Sequence, residues 1–266
     1  MKRFIPFMKA DPLVAVARLS GMIATGGRPG VLNDSTLAPM LERAFRRGKP
    51  AAVVLVINSP GGSPTQSSLI AARIRRLSEE RKVPVYAFVE DVAASGGYWL
   101  ATAADEIWVD SNSIVGSIGV ISASFGFNEF LGKHGIERRV YTAGKSKSML
   151  DPFQPEKAAD VKRIKALQEQ IHATFIDQVK ARRGSKLPEG KDLFTGDIWV
   201  GAQAVEVGLA DGVGHLVPKM KERFGEKVRF VPYSQKRPLF QRVGFGVAGT
   251  VLDGIEERAG FARFGL

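Results

Sequence analysis

Residues 83–104 read VPVYAFVEDVAASGGYWLATAA, and this stretch decides the fold. The apolar run Val83–Val89 predicts a buried strand, and the run Tyr98–Ala104 is compatible with a helix. Between them, Ser95 stands among small residues. A strand that ends at small residues and continues as a helix exposes the side chain at the break, and it points the first free N–H groups of the helix at that position. The stretch therefore predicts a strand–turn–helix unit of an α/β fold, with Ser95 at the turn.

Ser95 has two interpretations. As a candidate nucleophile, it gains an environment that stabilises an anion, because the helix N-terminus carries partial positive charge. As a plain N-cap, its hydroxyl only accepts a hydrogen bond from a backbone N–H of the helix. On these residues alone the cap is the more common interpretation.

A second strand–turn–helix unit comes earlier in the chain. Ala51–Ile57 is an uninterrupted apolar run, typical of a strand covered on both faces, and it ends in the turn Asn58–Gly62. Ser63 then predicts a helix N-cap, with Gln66 reaching back to it. Repetition of this order predicts parallel strands joined by right-handed crossovers. Because turns at the carboxyl ends of such strands lie at one edge of the sheet, we expect Asn58–Gly62 and Asp91–Gly97 to be neighbours.

The remaining predicted elements complete one domain over residues 1–238. They are a strand at Leu13–Ile23, a helix at Ser35–Arg47, a short strand at Glu106–Asp110, an extended segment at Ser113–Ser122, a strand at Glu137–Thr142, a long amphipathic helix at Pro155–Arg183 and a last strand at Val228–Val231. Residues 239–266 mix apolar and basic side chains. We expect this tail to lie on a membrane surface or on a neighbouring subunit.

The composition excludes several kinds of site. The chain has 266 residues, no cysteine and three separated histidines, so we expect no disulfide, no cysteine nucleophile and no metal site. Its formal charge is +11, but the basic residues are dispersed on helices without interleaved aromatic residues, so nucleic acid is not an expected partner. The N-terminal residues contain no apolar stretch typical of a secretory signal or a spanning helix. The expected location is therefore cytoplasmic or peripheral to a membrane.

A serine nucleophile needs a base and donors for an oxyanion. The Gly96 N–H is one candidate donor, and the glycines of the Asn58–Gly62 turn offer a second, although tight packing alone also accounts for those glycines. No histidine lies in a motif beside Ser95, and the Gly-x-Ser-x-Gly pattern is absent. Lysine remains, because burial in a dry pocket lowers the pKa of a lysine enough for it to act as a base. Lys147 lies in a loop of small residues after a predicted strand, and Lys145 competes with it on pattern alone.

Four motifs occur in series: Asn58–Gly62, Asp91–Tyr98, Ser113–Val120 and Gly144–Ser148. Together they resemble the signal peptide peptidase A (protease IV) family, whose members are serine–lysine peptidases. The resemblance runs from about Leu13 to about Leu216. It implies the Clp/crotonase-like fold, with repeated β-β-α units and a largely parallel sheet flanked by helices.

The resemblance also implies a site, a substrate and an assembly. Ser95 would be the nucleophile, Lys147 the general base, Gly62 and Gly96 the oxyanion donors, and Ser117 the group that orients the lysine amine. The implied enzyme is a serine endopeptidase that needs no cofactor and cleaves extended, apolar peptides, such as remnant signal peptides or membrane-derived fragments. It would work as a homo-oligomer whose small-residue groove binds peptide by strand addition. The implied groove residues are Gly61, Val115, Gly116, Ile118 and Gly119.

Two features depart from the family pattern. Ser146 stands where the family usually has an aromatic residue before the lysine, and the N-terminal spanning helix common in the family is not present in this sequence. Two other functions stay open: a crotonase-like enzyme acting on acyl-CoA thioesters, and a non-catalytic oligomeric scaffold at a membrane surface. A Ser-His-Asp peptidase is disfavoured, because no histidine is placed to serve Ser95.

Overall fold

A computed structural model describes residues 11–26, 30–144, 146–235, 258 and 260–266. The described chain forms two compact units. The first contains the residues up to Ile118 and those from Asp177 onward, and the second is Gly119–Ile176. The predicted domain boundary at residue 238 and most of the predicted tail lie outside the described residues.

The first unit is built on a mixed sheet of eight strands. These are β1 (Leu13–Ser20), β2 (Ala52–Ser59), β3 (Val85–Ala94), β4 (Glu106–Val109), β5 (Ile114–Gly116), β6 (Ile198–Val200), β7 (Gly212–Val213) and β8 (Arg229–Tyr233). The order is β6-β5-β3-β2-β1-β8, and β4 pairs with both β3 and β7. Every pairing is parallel except that of β5 with β6. The predicted parallel core is therefore confirmed.

Helices cover both faces of this sheet. The named helices of the first unit are α1 (Asp34–Arg46), α2 (Pro64–Arg81), α3 (Gly96–Ala101), α6 (Ala202–Glu206) and α7 (Leu216–Phe224). Helix α4 (Asn128–Lys133) belongs to the second unit, and α5 (Ala158–Arg183) begins in the second unit and ends in the first. On one face, α2 packs between α1 and α3, and α3 lies directly on β2 and β3. On the other face, α7 closes a core that includes Val54, Phe88 and Met220. This two-sided cover explains why the β2 sequence is an uninterrupted apolar run.

The N-cap of α2 agrees with the prediction in part. Ser63 caps α2, since its hydroxyl accepts from the Gln66 N–H at 3.4 Å. The Gln66 side chain does not reach back to Ser63, and that prediction was wrong. Its Oε1 accepts instead from the Asp34 N–H at 2.9 Å, because the start of α1 lies beside the start of α2 and offers an unpaired donor there.

Three predicted elements differ in the structure. Strand β3 continues to Ala94, because its last residues pair with β5. Of the predicted extended segment 113–122, only Ile114–Gly116 is a strand. Residues 137–142 are described but form no strand, since no partner strand lies beside them within the described chain.

The second unit leaves much of its apolar surface uncovered. Its exposed large apolar side chains are Ile121, Phe125, Phe127, Phe130, Ile136, Tyr141, Phe153, Leu167 and Ile171. The apolar face predicted for α5 is fully buried only at Phe175 and Val179, near its C-terminal end. Among the helices of the described residues, none is long and apolar enough to span a membrane.

Candidate active site

Ser95 joins the end of β3 to the start of α3 in a strained backbone conformation. Its φ is 51° and its ψ is −121°, a region that residues with a side chain rarely adopt. Its N–H donates to the Gly116 carbonyl at 2.8 Å, which ties the turn to the end of β5. Within the described residues, the Ser95 side chain makes no capping hydrogen bond to α3. The half-buried hydroxyl is therefore held at the turn without the role of a cap, which favours the nucleophile interpretation.

The two glycine-containing turns pack against each other, as the sequence predicts. A Cβ added at Gly61 would lie 2.7 Å from the Gly96 nitrogen and 2.8 Å from the Ser95 Cβ. A Cβ added at Gly96 would lie 3.3 Å from the Gly62 nitrogen. The two proposed oxyanion donors, the Gly62 and Gly96 amides, are thus adjacent to each other and to the serine. The close packing by itself already requires glycine at position 61.

The end of β5 contacts the Ser95 backbone through Gly116, and the next two residues of the chain follow this contact. Gly116 faces the Trp199 ring, which an added Cβ would approach to 2.6 Å. Ser117 is half-buried with a φ of 51°, and its N–H donates to the Asp197 carbonyl at 2.7 Å. Val115 and Ile118 are fully buried, so their side chains face the core. Of the predicted groove residues, the structure brings Gly61 and Gly116 close to the serine turn. Ser117, the predicted lysine-orienting residue, directly follows Gly116 in the chain.

Lys147 lies in the second unit, as does the predicted groove residue Gly119. The lysine belongs to a turn in which its N–H donates to the Gly144 carbonyl at 3.1 Å, and its side chain is exposed on that unit. The neighbouring Ser146 hydroxyl accepts from Arg163 of α5 at 2.8 Å. The pairing of Lys147 with Ser95 stays a prediction, and Lys145 lies outside the described residues.

A buried polar network lies beneath α3, on the side of the helix that faces Leu209. Its members are Tyr98, Arg183, Lys186 and Asp211. The fully buried Tyr98 donates from its hydroxyl to the Leu209 carbonyl at 2.8 Å, and burial raises the pKa of Tyr98, so it stays a donor. Arg183, at the end of α5, is buried and pairs with Asp211 at 2.6 Å. Although burial alone would raise the pKa of Asp211, hydrogen bonds from Arg183 and Lys186 hold it below its ordinary range.

Sequence reasoning missed Tyr98 and Arg183 as members of this network. The sequence places Tyr98 at the end of the motif around Ser95 and does not indicate its hydrogen-bond partner. Arg183 is one of several basic residues that end α5. A buried arginine paired to a distant carboxylate leaves no periodic signal, because its partner lies 28 positions along the chain.

A separate cavity of about 560 Å³ lies on the face of the sheet that α7 covers, and Leu216, the first residue of α7, lines it. Its lining includes Arg18, Glu90, Asp110 and His215, and the His215 ring lies 2.8 Å from the Asp110 carboxylate. Ser95 is not among the described residues that line this cavity. Across the described ranges, no group of three or more His, Asp or Glu residues is placed to hold a metal ion.

Comparison with known proteins identifies the family of the chain. Peptidase family S49 matches residues 78–223, more than half of the chain. Protease 4 of Haemophilus influenzae is 34% identical over 208 residues, which cover 76% of this chain and 32% of that protein. A protein of Brucella melitensis named Na(+)/H(+) antiporter NhaA is 50% identical over 287 residues, which cover 100% of this chain and 39% of that protein. The chain thus spans two fifths or less of these relatives.

Among solved structures, a lysine-to-alanine mutant of the 1510-N membrane-bound stomatin-specific protease, in complex with a substrate peptide, has the same fold. It superposes with a TM-score of 0.52 at 14% identity, covering 93% of this chain and 99% of that one. The predicted Clp/crotonase-like fold is confirmed. The S49 match covers β3, the Ser95 turn and the network beneath it, and on that ground the chain belongs to peptidase family S49.

Proposed function

We propose that the chain is a serine endopeptidase in which Ser95 is the nucleophile and Lys147 is the general base. The observation that carries the proposal is the backbone of Ser95. A side chain at φ 51° and ψ −121° costs free energy, and Ser95 recovers none of it through a capping bond within the described residues. The chain belongs to a peptidase family, and a strained backbone at a nucleophile is a feature of active sites, so family membership supports a catalytic role for Ser95.

In the proposed acylation step, the neutral Lys147 amine takes the Ser95 hydroxyl proton while Oγ attacks the peptide carbonyl carbon. The carbonyl oxygen becomes an oxyanion, which accepts hydrogen bonds from the Gly62 and Gly96 N–H groups. The Ser117 hydroxyl oxygen would accept a hydrogen bond from the amine N–H and so orient the amine. When the intermediate collapses, the C–N bond breaks and the Lys147 ammonium returns the proton to the leaving amine.

In the proposed deacylation step, Lys147 takes a proton from a water molecule that attacks the ester carbonyl of the acyl-enzyme. A second oxyanion forms at the same two amides. Collapse then breaks the ester bond, releases the carboxylic acid and returns the proton to the Ser95 oxygen. No cofactor takes part in either step.

The proposed substrate is an extended, largely apolar peptide, such as a remnant signal peptide or a membrane-derived fragment. Exposed Gly62 and half-buried Ser117 would offer backbone groups to such a peptide from two sides of Ser95, which supports binding by strand addition. Folded proteins do not present free extended backbone, so they would be poor substrates.

A homo-oligomer, with peripheral membrane contact, belongs to the same proposal. Its own unit leaves Lys147 exposed, whereas a lysine that acts as a base needs a dry surrounding. The exposed aromatic side chains of the second unit, which include Phe125, Phe130 and Tyr141, support burial of this unit against other molecules.

The test is hydrolysis of a fluorogenic peptide rich in alanine and leucine by Ser95→Ala and Lys147→Ala. Both substitutions should lower kcat by at least about 1000-fold, because each removes a member of a unit that acts together. Lys145→Ala and Lys133→Ala are matched controls, which each remove a different lysine and should keep wild-type activity. Activity that survives in Ser95→Ala excludes the nucleophile, and loss in Lys145→Ala with activity in Lys147→Ala reassigns the base.

A further inference from the structure

The backbone of Ile23 hydrogen-bonds to the turn that carries Gly62. Its N–H donates to the Gly61 carbonyl at 2.8 Å, and its own carbonyl accepts from the Ser63 N–H at 2.7 Å. An added Cβ at Gly62 would lie against the Ile23 carbonyl oxygen, so the two backbones are in direct contact. Ile23 is also almost fully buried, and so it cannot shift without repacking.

The Gly61 residue is held at both of its polar groups. Its N–H donates to the buried Ser59 hydroxyl at 3.3 Å, and its carbonyl accepts from Ile23. The peptide bond from Gly61 to Gly62 is trans, and in a trans peptide the carbonyl and the following N–H point in opposite directions. Because the Gly61 carbonyl points at Ile23, the Gly62 N–H points away from it. Within the described residues, that N–H meets no acceptor.

Residues 22–24, which include Ile23, are themselves held by hydrogen bonds to Leu32. Leu32 donates to the Met22 carbonyl at 2.8 Å, and its carbonyl accepts from Ala24 at 3.1 Å. The next residue, Asn33, is the buried N-cap of α1 and accepts from the Thr36 N–H at 3.0 Å. These hydrogen bonds, joined through the backbone of residues 22–24 and 32–33, link the N-terminus of α1 to the turn at Gly61.

We propose that the Ile23 amide and the Ser59 hydroxyl are positioning groups for the reaction, which fix the Gly61–Gly62 peptide so that the Gly62 N–H is preset to donate to the oxyanion. This inference rests on the proposed serine peptidase function. Neither group touches the substrate. They act by removing the freedom of a diglycine turn, which would otherwise sample many conformations, and so the donor costs no reorganisation at the moment of reaction.

The test compares Ile23→Pro with Ile23→Val, using a fluorogenic alanine- and leucine-rich peptide and a peptide boronate inhibitor. Proline removes the N–H that holds Gly61, whereas valine keeps it and trims one methyl group. Loss of a whole oxyanion donor lowers kcat by about 100- to 1000-fold, so a misdirected donor should lower kcat by about 10- to 100-fold. KM should change little, and boronate affinity should fall by the same factor as kcat/KM. A merely structural role predicts no such match.

Ser59→Ala is the second variant, because it frees the Gly61 N–H without constraining the backbone. It should lower kcat several-fold at unchanged KM, and it decides the question if Ile23→Pro does not fold by circular dichroism. Wild-type kcat in Ser59→Ala, or equal kcat in folded Ile23→Pro and Ile23→Val, would overturn the inference. A wild-type protein that a fluorophosphonate does not label at Ser95 would instead defeat the proposed function, so the two failures are distinct.

Discussion

Gly97→Ala probes the seating of α3 on β2, which places Ser95. An added Cβ at Gly97 would lie 2.3 Å from the Ser59 carbonyl oxygen and 3.1 Å from its carbon, whereas ordinary contact begins at 3.4 Å. The start of α3 must therefore move by about 1 Å, since backbone on both sides cannot rotate away as a side chain would. Overpacking of this kind costs about 1–3 kcal/mol of folding free energy, and a 1 Å misplacement of catalytic groups costs about 100-fold in rate.

The assay is kcat/KM on the fluorogenic peptide together with thermal unfolding. We expect Gly97→Ala to remain folded, with a Tm lower by about 2–10 °C and kcat/KM lower by about 100-fold. Gly184→Ala is the matched control, because nothing within the described residues lies within 4 Å of its added Cβ, and it should retain wild-type activity. A Gly97→Ala variant with activity within threefold of wild type would refute the view that direct helix-on-strand contact positions the serine.

The network beneath α3 yields three further predictions. Tyr98→Phe leaves the buried Leu209 carbonyl without its donor and should cost about 1–3 kcal/mol by urea unfolding, whereas Tyr141→Phe, at a side chain 91% exposed, should cost nothing measurable. Asp211→Asn leaves the buried Arg183 charge uncompensated and should cost about 3–5 kcal/mol at neutral pH. Since the folded-state pKa of Asp211 is depressed, its stabilisation is complete above the unfolded value of about 3.9 and is lost as pH falls through the lower folded value. Measured by urea unfolding across that acid range, the free energy of unfolding should fall more steeply with pH in wild type than in Asp211→Asn. Equal slopes would contradict the ion pair between Asp211 and Arg183.

The sheet and its turns were predictable because their signals are local. The uninterrupted apolar run that forms β2 is typical of a strand buried on both faces, and the structure places helices on both sides of it. The helical period of residues 35–47 puts five apolar residues on one face, and these are the buried residues of α1: Leu37, Met40, Leu41, Ala44 and Phe45. The neighbouring position of the two glycine turns followed from a rule of parallel sheets, without any contact being known. In these regions the hydrophobic pattern and the packing agree.

Other features depend on contacts between distant residues and carry no local signal. Gln66 was expected to cap its own helix, but a donor at Asp34, 32 positions earlier, competes for it. Residues 137–142 have strand-like composition, yet strand formation depends on a partner. The positive φ of Ser117 and the bond from Ile23 to Gly61 likewise result from tertiary packing, and neither residue type indicates them.

The most direct test of the central claim is the rate at which a fluorophosphonate labels the protein at a series of pH values, with the modified residue mapped by mass spectrometry. We expect one labelled residue, Ser95, with a rate that rises into alkaline pH, because a lysine accepts a proton only in its neutral form. We also expect labelling at least about 100-fold slower in Lys147→Ala. A label on another serine, or a wild-type labelling rate in Lys147→Ala, would contradict the serine–lysine mechanism.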